Sequence, residues 1–208
     1  MLRWTDSASK TRHCLYARRY GALSWDTMTL TDKEFKEYIE THLDFLFYVG
    51  KRTEILNETI DFKAFKKLGT KTKFDCSEEF LNKPKLLNDY LGLNFERLEI
   101  EKLKILEGFK KRISGDFVVL KYLKDYAGFV DLKKSKVYLV KALGDKFERM
   151  ISATPKIVKA TILPFKDKII YDGFLEPYNI IIGQSIRKDL NGLYKKAKEK
   201  KELITEIG

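Results

Sequence analysis

In the first half of the chain, apolar residues recur every three or four positions. Between Thr29 and Val49 the set Phe35, Tyr38, Ile39, His42, Leu43, Leu46 and Phe47 falls on one face of a helix. Thr31 and Glu34 form a capping box at its start, each side chain meeting a free backbone N–H of the other. Gly50, Lys51 and Arg52 read as its stop, with cations at the negative end of the helix dipole. Residues 53–93 are less regular. Asp61–Lys67 predicts a short helix closing at Gly69, and Gly69–Lys73 a loop. Ser77–Phe80 opens a further turn, and Asn82–Leu91, with Pro84 near its start, forms a helix closed by Gly92. Asn94 to Ile113 reads as a second long helix capped by Asn94, its apolar face made by Phe95, Leu98, Leu103, Leu106, Phe109 and Ile113. Ser114-Gly115 ends it.

From Phe117 the period shortens. The segments Phe117–Lys124, Tyr126–Leu132, Lys136–Leu143, Lys156–Leu163, Lys168–Asp172 and Tyr178–Ile182 are rich in Val, Ile, Tyr and Phe. Lys, Asp, Gly and Pro separate them, which is the pattern of antiparallel strands. Val118, Leu120 and Tyr122 would share one face, with Phe117, Val119 and Leu123 on the other. Two apolar faces imply a sheet covered on both sides or curled into a small barrel. Leu132–Lys136 and Phe165–Ile169 are turns, and Asp145–Ser152 is a short helix stopped before Pro155. A last helix runs from Ser185 to about Leu203 on a stripe of Ile186, Leu190, Leu193, Tyr194 and Ala197. The expected fold is α+β, with N-terminal helices (28–114) packed on an antiparallel sheet or small barrel and closed by a C-terminal helix (116–208).

The 208 residues, 44% hydrophobic and 34% charged, are a globular composition able to bury a core. No apolar run approaches the roughly 20 residues that span a bilayer. No continuous apolar leader precedes the folded part either, so the expected compartment is cytoplasmic. Two cysteines, Cys14 and Cys76, and two histidines, His13 and His42, fall short of a disulfide framework or a structural zinc site. Phosphate-loop, dinucleotide, serine-hydrolase and metalloprotease motifs are absent, so neither a metal nor a cofactor is expected. The acidic group Asp75, Glu78, Glu79 lacks calcium-loop spacing, and His42 and Asp44, two apart on a helix, diverge.

Charge is what separates the regions. The net +11 divides as 5 basic and 2 acidic residues over 1–27, 17 and 16 over 28–115, and 19 and 12 over 116–208. Residues 1–27 hold four of nine Arg, one of 32 Lys and both Trp, and read as an atypical extension, flexible or of different origin. The basic C-terminal half suggests an acidic macromolecular partner, protein or nucleic acid. Its candidate contacts are Lys133, Lys134, Lys136, Arg187, Lys188, Lys195 and Lys196. Tyr122 and Tyr138 beside lysines suggest a stacking face for single strands. Gly183-Gln-Ser185 opens a helix whose free N–H groups suit an anion, although a plain Ser cap accounts for it. The leading reading is a non-enzymatic binding or regulatory protein, followed by a nucleic-acid binder or an inhibitor of a nucleic-acid-handling defence complex. A third is an enzyme built near Asp172 and Glu176, although a turn in which Asp172 satisfies backbone and Gly173 takes positive φ explains that corner.

The stretch from Gly115 through Leu163-Pro-Phe-Lys-Asp-Lys-Ile-Ile-Tyr-Asp-Gly173, with Tyr178-Asn-Ile and the Gly183–Arg187 helix start, resembles the C-terminal part of a family of bacterial proteins without assigned activity. The resemblance implies a shared sheet-plus-helix fold in a bacterial or phage-related setting and assigns no functional residues.

Overall fold

The computed structural model describes residues 13–14 and 28–208. The expectation about residues 1–27 therefore lies outside the described residues, apart from His13–Cys14 (β1). Five helices come next: α1 (Asp32–Arg52), α2 (Phe62–Lys67), α3 (Thr70–Asn82), α4 (Lys85–Asn94) and α5 (Ile100–Lys110). The capping box forms as read, with Glu34 N–H donating to Thr31 Oγ1 at 3.2 Å and Thr31 N–H to Glu34 Oε2 at 3.1 Å.

Gly50 does not end α1. The helix runs on to Arg52, and the left-handed turn falls at Glu54 (φ 61°). Gly50 is needed for space, since a Cβ there would meet Leu56 Cδ1 at 2.7 Å and Cys76 Sγ at 2.8 Å. The expected loop at 69–73 is the first turn of α3. Its Lys73 is buried and donates Nζ to the carbonyl oxygens of Lys66 (3.1 Å) and Leu68, closing the end of α2. The helix read as 94–113 begins only at Ile100, while Asn94 ends α4 and donates its side-chain amide to Tyr90 O at 2.9 Å. Leu98 and Leu103 stand five residues apart, a step that breaks helical spacing at the point where the chain turns.

The strands are β2 (Ile113–Tyr122), β3 (Ala127–Asp131), β4 (Val137–Lys141), β5 (Lys156–Phe165) and β6 (Lys168–Pro177), with a one-turn helix α6 (Phe147–Met150) between β4 and β5 and α7 (Gln184–Glu199) at the end. Their pairings run β2-β3-β4-β6-β5 and return to β2, so the sheet closes into the small barrel. All these pairings are antiparallel except β4 with β6, where Val140 faces Ile169 and Lys141 faces Ile170 in parallel. An odd number of strands cannot close with every neighbour antiparallel, so one parallel pair is obligatory and the sheet is mixed. β1 adds to the remaining edge of β6, Cys14 opposite Phe174. Tyr178–Ile182 is no strand. Only Tyr178 N–H reaches Ile157 O (2.9 Å), and Ile181 is 92% exposed.

One hydrophobic core joins helices and barrel. Inside the barrel Phe117 meets Phe129 (ring centroids 6.0 Å) and Tyr138 (6.3 Å), and Phe147 of α6 plugs one end against Phe129 (5.3 Å) and Tyr171 (5.2 Å). Tyr38 of α1 carries the core outward, packing on Phe109 at 6.3 Å and Phe165 at 5.7 Å. Burial alternates as expected along β2, Phe117 and Val119 inward and Val118 and Leu120 outward. A register shift between Val119 and Lys121 then returns Tyr122 to the inner set, against the simple alternation that put it with Leu120. Among the described residues no helix is long and apolar enough to cross a membrane.

Candidate functional site: a basic surface on the C-terminal helix

α7 is amphipathic. Leu190, Tyr194 and Ala197 are buried against Val118 and Leu120 of β2, Val130 of β3 and Val137 of β4, with Leu193 and Leu203 at the margin. Lys121 Nζ sits 4.1 Å from the centre of the Tyr194 ring, a cation–π contact that fixes the helix over β2. Ile186, expected in the buried stripe, is 57% exposed, so docking starts at Leu190. With this stripe down, Arg187, Lys188, Lys195, Lys196, Lys198, Lys200 and Lys201 face solvent. Among the described residues the ion pair seen along this row is the long, exposed one between Lys195 and Glu199 (3.9 Å).

The chain then turns back through Lys201 (φ 58°), and Ile204 pairs in parallel with Tyr138. Ile204 N–H donates to Val137 O at 2.9 Å and Leu139 N–H to Ile204 O at 2.8 Å. In a parallel pair the residues preceding each partner lie at the same end. Lys133, Lys134 and Lys136, just before Tyr138, therefore lie toward the same end of the barrel as Lys200, Lys201 and Glu202, just before Ile204. The lysine turn has a fixed shape, because the buried Asp131 carboxylate accepts the N–H groups of Lys133 (2.8 Å) and Lys134 (3.0 Å) through Oδ1. Ser135 takes a left-handed conformation (φ 51°) that completes it. Arg187 and Lys188 stand at the other end of α7, roughly 20 Å from Lys200 at 1.5 Å per residue. Arg187 Nε is tied to Ile182 O at 2.9 Å. The candidate cations thus form a strip, dense at one end and sparse at the other.

The two tyrosines do not join it. Tyr138 lies inside the barrel, and Tyr122 donates its hydroxyl to Ile151 O. The outer face of β3 and β4 lies under α7.

Asp172 and Glu176 occupy a different place, the seam between helices and barrel. Asp172 is 4% exposed, and its Oδ1 accepts Phe174 N–H at 3.0 Å beside Gly173 at φ 107°, the local contact and positive φ expected, but set at a register shift inside β6 and not in a turn. Ser77 of α3 also donates to this carboxylate, and Tyr38 of α1 donates to Asp172 O at 3.2 Å. Burial, and then the charge of Glu78, push the Asp172 carboxyl up to about 7. Glu78 is paired with Lys159 of β5 at 2.8 Å. Arg112, which feels the Asp172 charge, lies 4.2 Å over the Phe80 ring. Glu176 is half-buried opposite Lys159 in register. The arrangement fastens α1, α3 and α5 to β6 and offers no opening to a substrate at Asp172. His42, fully buried between Tyr38 and Phe109, is held neutral, its pKa lowered to about 3 by burial. Sequence reading gave Ser77, Glu78, Arg112 and Lys159 no place at this seam, because contacts across such separations leave no local signal.

No protein-family model, curated protein or solved structure matches this chain.

Proposed function

We propose that the protein is a binding module that engages an acidic macromolecular partner through the outer face of α7 and the turn between β3 and β4. One observation supports the reading: the Tyr138–Ile204 bridge puts the lysine turn and the lysine-rich end of α7 toward the same end of the barrel. Cations separated by some 60 positions in sequence thereby converge on one end of a helix stapled to a rigid barrel. Convergent like charge raises the local potential and favours a polyanion. The carboxylate at Asp172 gives no competing reading, since it is closed to solvent.

The test is retention of the full chain on an immobilised polyanion such as heparin. Replacing Lys195, Lys196, Lys198, Lys200 and Lys201 by Gln should lower the eluting salt markedly, while the far-ultraviolet spectrum stays unchanged. The same number of exposed lysines on the helical side, Lys33, Lys36, Lys63, Lys85 and Lys104, should matter little when changed to Gln. Equal effects from both sets would mean that only net charge counts, and the localised surface would be abandoned.

A further inference from the structure

We infer that the partner is double-stranded nucleic acid, gripped by its phosphate backbone without readout of base sequence; this rests on the binding surface proposed above. Three features of the strip separate this partner from an acidic protein or a single strand.

The first is residue type. The strip has Lys133, Lys134, Lys136, Lys188, Lys195, Lys196, Lys198, Lys200 and Lys201, with Arg187 the single guanidinium. Protein–protein interfaces deplete Lys and centre on aromatic or Arg anchors in apolar pockets. Among the described residues the large exposed hydrophobics are Leu93, Phe95, Ile100, Leu132, Tyr178, Ile180, Ile181 and Ile186. None lies between Arg187 and Glu202; Ile186 adjoins the sparse end of the strip and Leu132 opens the lysine turn, and no exposed aromatic stands among the lysines. A flexible point charge without an apolar anchor suits phosphate oxygens, which need neutralisation and impose little shape.

The second is the absence of a stacking platform on the strip. Single-strand binders stack bases on exposed aromatics, each base contributing about 1–3 kcal/mol. The aromatic rings near the strip are committed elsewhere: Tyr194 is beneath α7 under Lys121, and Tyr138 lies in the barrel interior.

The third is stiffness. The cations ride on a helix docked through Leu190, Tyr194 and Ala197 and on a turn locked by Asp131, so the spacing of their backbone is preset. A duplex offers an equally fixed lattice, one charge per about 1.7 Å of axis, and a strip roughly 20 Å long meets several phosphates at once. A flexible polyanion loses more conformational entropy on the same surface.

The experiment measures binding of the full chain to fluorescein-labelled probes by anisotropy. The probes are two DNA duplexes of unrelated sequence, an RNA duplex and the matching single strands, with unlabelled poly-L-glutamate as the acidic-polypeptide competitor. Both DNA sequences should bind within about twofold of each other, and the single strands several-fold more weakly. The slope of log K against log salt should shrink by about 0.9 for each phosphate-contacting lysine removed, which the Lys196→Gln and Lys200→Gln variants read directly. Comparing the DNA and RNA duplexes tells which nucleic acid supplies the backbone. Tighter binding of single strands, or a marked sequence preference, overturns the inference. Poly-L-glutamate binding without duplex binding overturns it too, while leaving the polyanion surface intact. No binding to either at about 50 mM salt overturns both readings.

Discussion

The molecule has two apolar cores of different character. The larger runs without a break from the α1–α5 bundle through the seam into the barrel, so helix and strand residues share the same aromatic contacts. The smaller has eight buried residues, three of them on α7 itself, and joins that helix and Ile182 to the outer face of β2, β3 and β4, with Ile157 of β5 at its margin. The first core makes bundle and barrel one cooperative unit. The second attaches a single helix, which is also the helix that bears the basic strip. The difference teaches that the scaffold and its binding surface are held by separable sets of contacts, so mutations can be aimed at either.

The largest effect belongs to the shared core. Phe109 packs on Tyr38 (6.3 Å), His42 (5.0 Å) and Phe80 (5.9 Å), and so links α1, α3 and α5. Phe109→Ala should cost about 3–5 kcal/mol, the range for emptying a buried aromatic site. Urea unfolding followed by far-ultraviolet dichroism and by amide exchange in α1–α5 and in β2–β6 should shift as one transition. Two separated transitions would break the comparison, because bundle and barrel would then unfold independently.

Next comes the seam. The folded-state pKa of Asp172, about 7, lies above the ordinary value of 3.8. Between those values the native state binds more protons than the unfolded chain. The stabilising contribution is therefore full below about pH 4 and is lost as pH rises through 7. The groups facing the carboxylate are Ser77 and Glu78 from α3, Tyr38 from α1, Arg112 after α5 and the Phe174 N–H. Asp172→Asn keeps the acceptor for Phe174 and removes the ionisation. The stability difference between wild type and variant should swing by on the order of 2–4 kcal/mol between pH 4 and pH 8, with the variant the more stable at pH 8. Urea midpoints across that range measure it, and a difference that does not change with pH would dismiss the carboxyl as a titrating element of the seam.

The smaller core yields less and yields it locally. Leu190→Ala should cost about 2–3 kcal/mol, at the low end for buried leucine because the site borders solvent. The loss should show as faster amide exchange across Gln184–Glu199, with barrel amides unchanged. Equal loss of protection in β2 and β3 would show that α7 is integral to the barrel after all.

How much of this was legible depends on how local each determinant is. The α1 cap, the two lysine-bearing turns and the inward–outward alternation of β2 from Phe117 to Leu120 are set by residues within a few positions of one another, and all appear where the sequence places them. Gly50 misled because a glycine has two uses: it reads as a terminator but serves as clearance for Leu56 and Cys76. Tyr178–Ile182 has strand composition but no free edge to join, since β6 is already flanked by β5, β4 and β1. Closure of the barrel through the parallel β4–β6 pair was open as an option only, since it depends on strands separated by α6 and β5. Of the basic strip, the lysines were visible and their convergence was not, because it comes from a bridge between Tyr138 and Ile204.

The smallest effect is the most specific to the comparison. Lys121 is half-buried, and its ammonium lies 4.1 Å over the Tyr194 ring. Lys121→Met keeps the length and apolar stem of the side chain and removes the charge, so it should cost only about 0.5–1 kcal/mol. That loss should fall on α7 exchange and leave the global urea midpoint within error. In a double-mutant cycle with Tyr194→Leu most of it should vanish, since the ring that receives the cation is gone. The same variant separates anchoring from binding. Lys121 faces the underside of α7 and not the strip, so duplex affinity should change only as far as α7 docking does. A loss of salt-dependent affinity as large as that from Lys196→Gln would place Lys121 among the phosphate contacts and extend the binding surface onto β2.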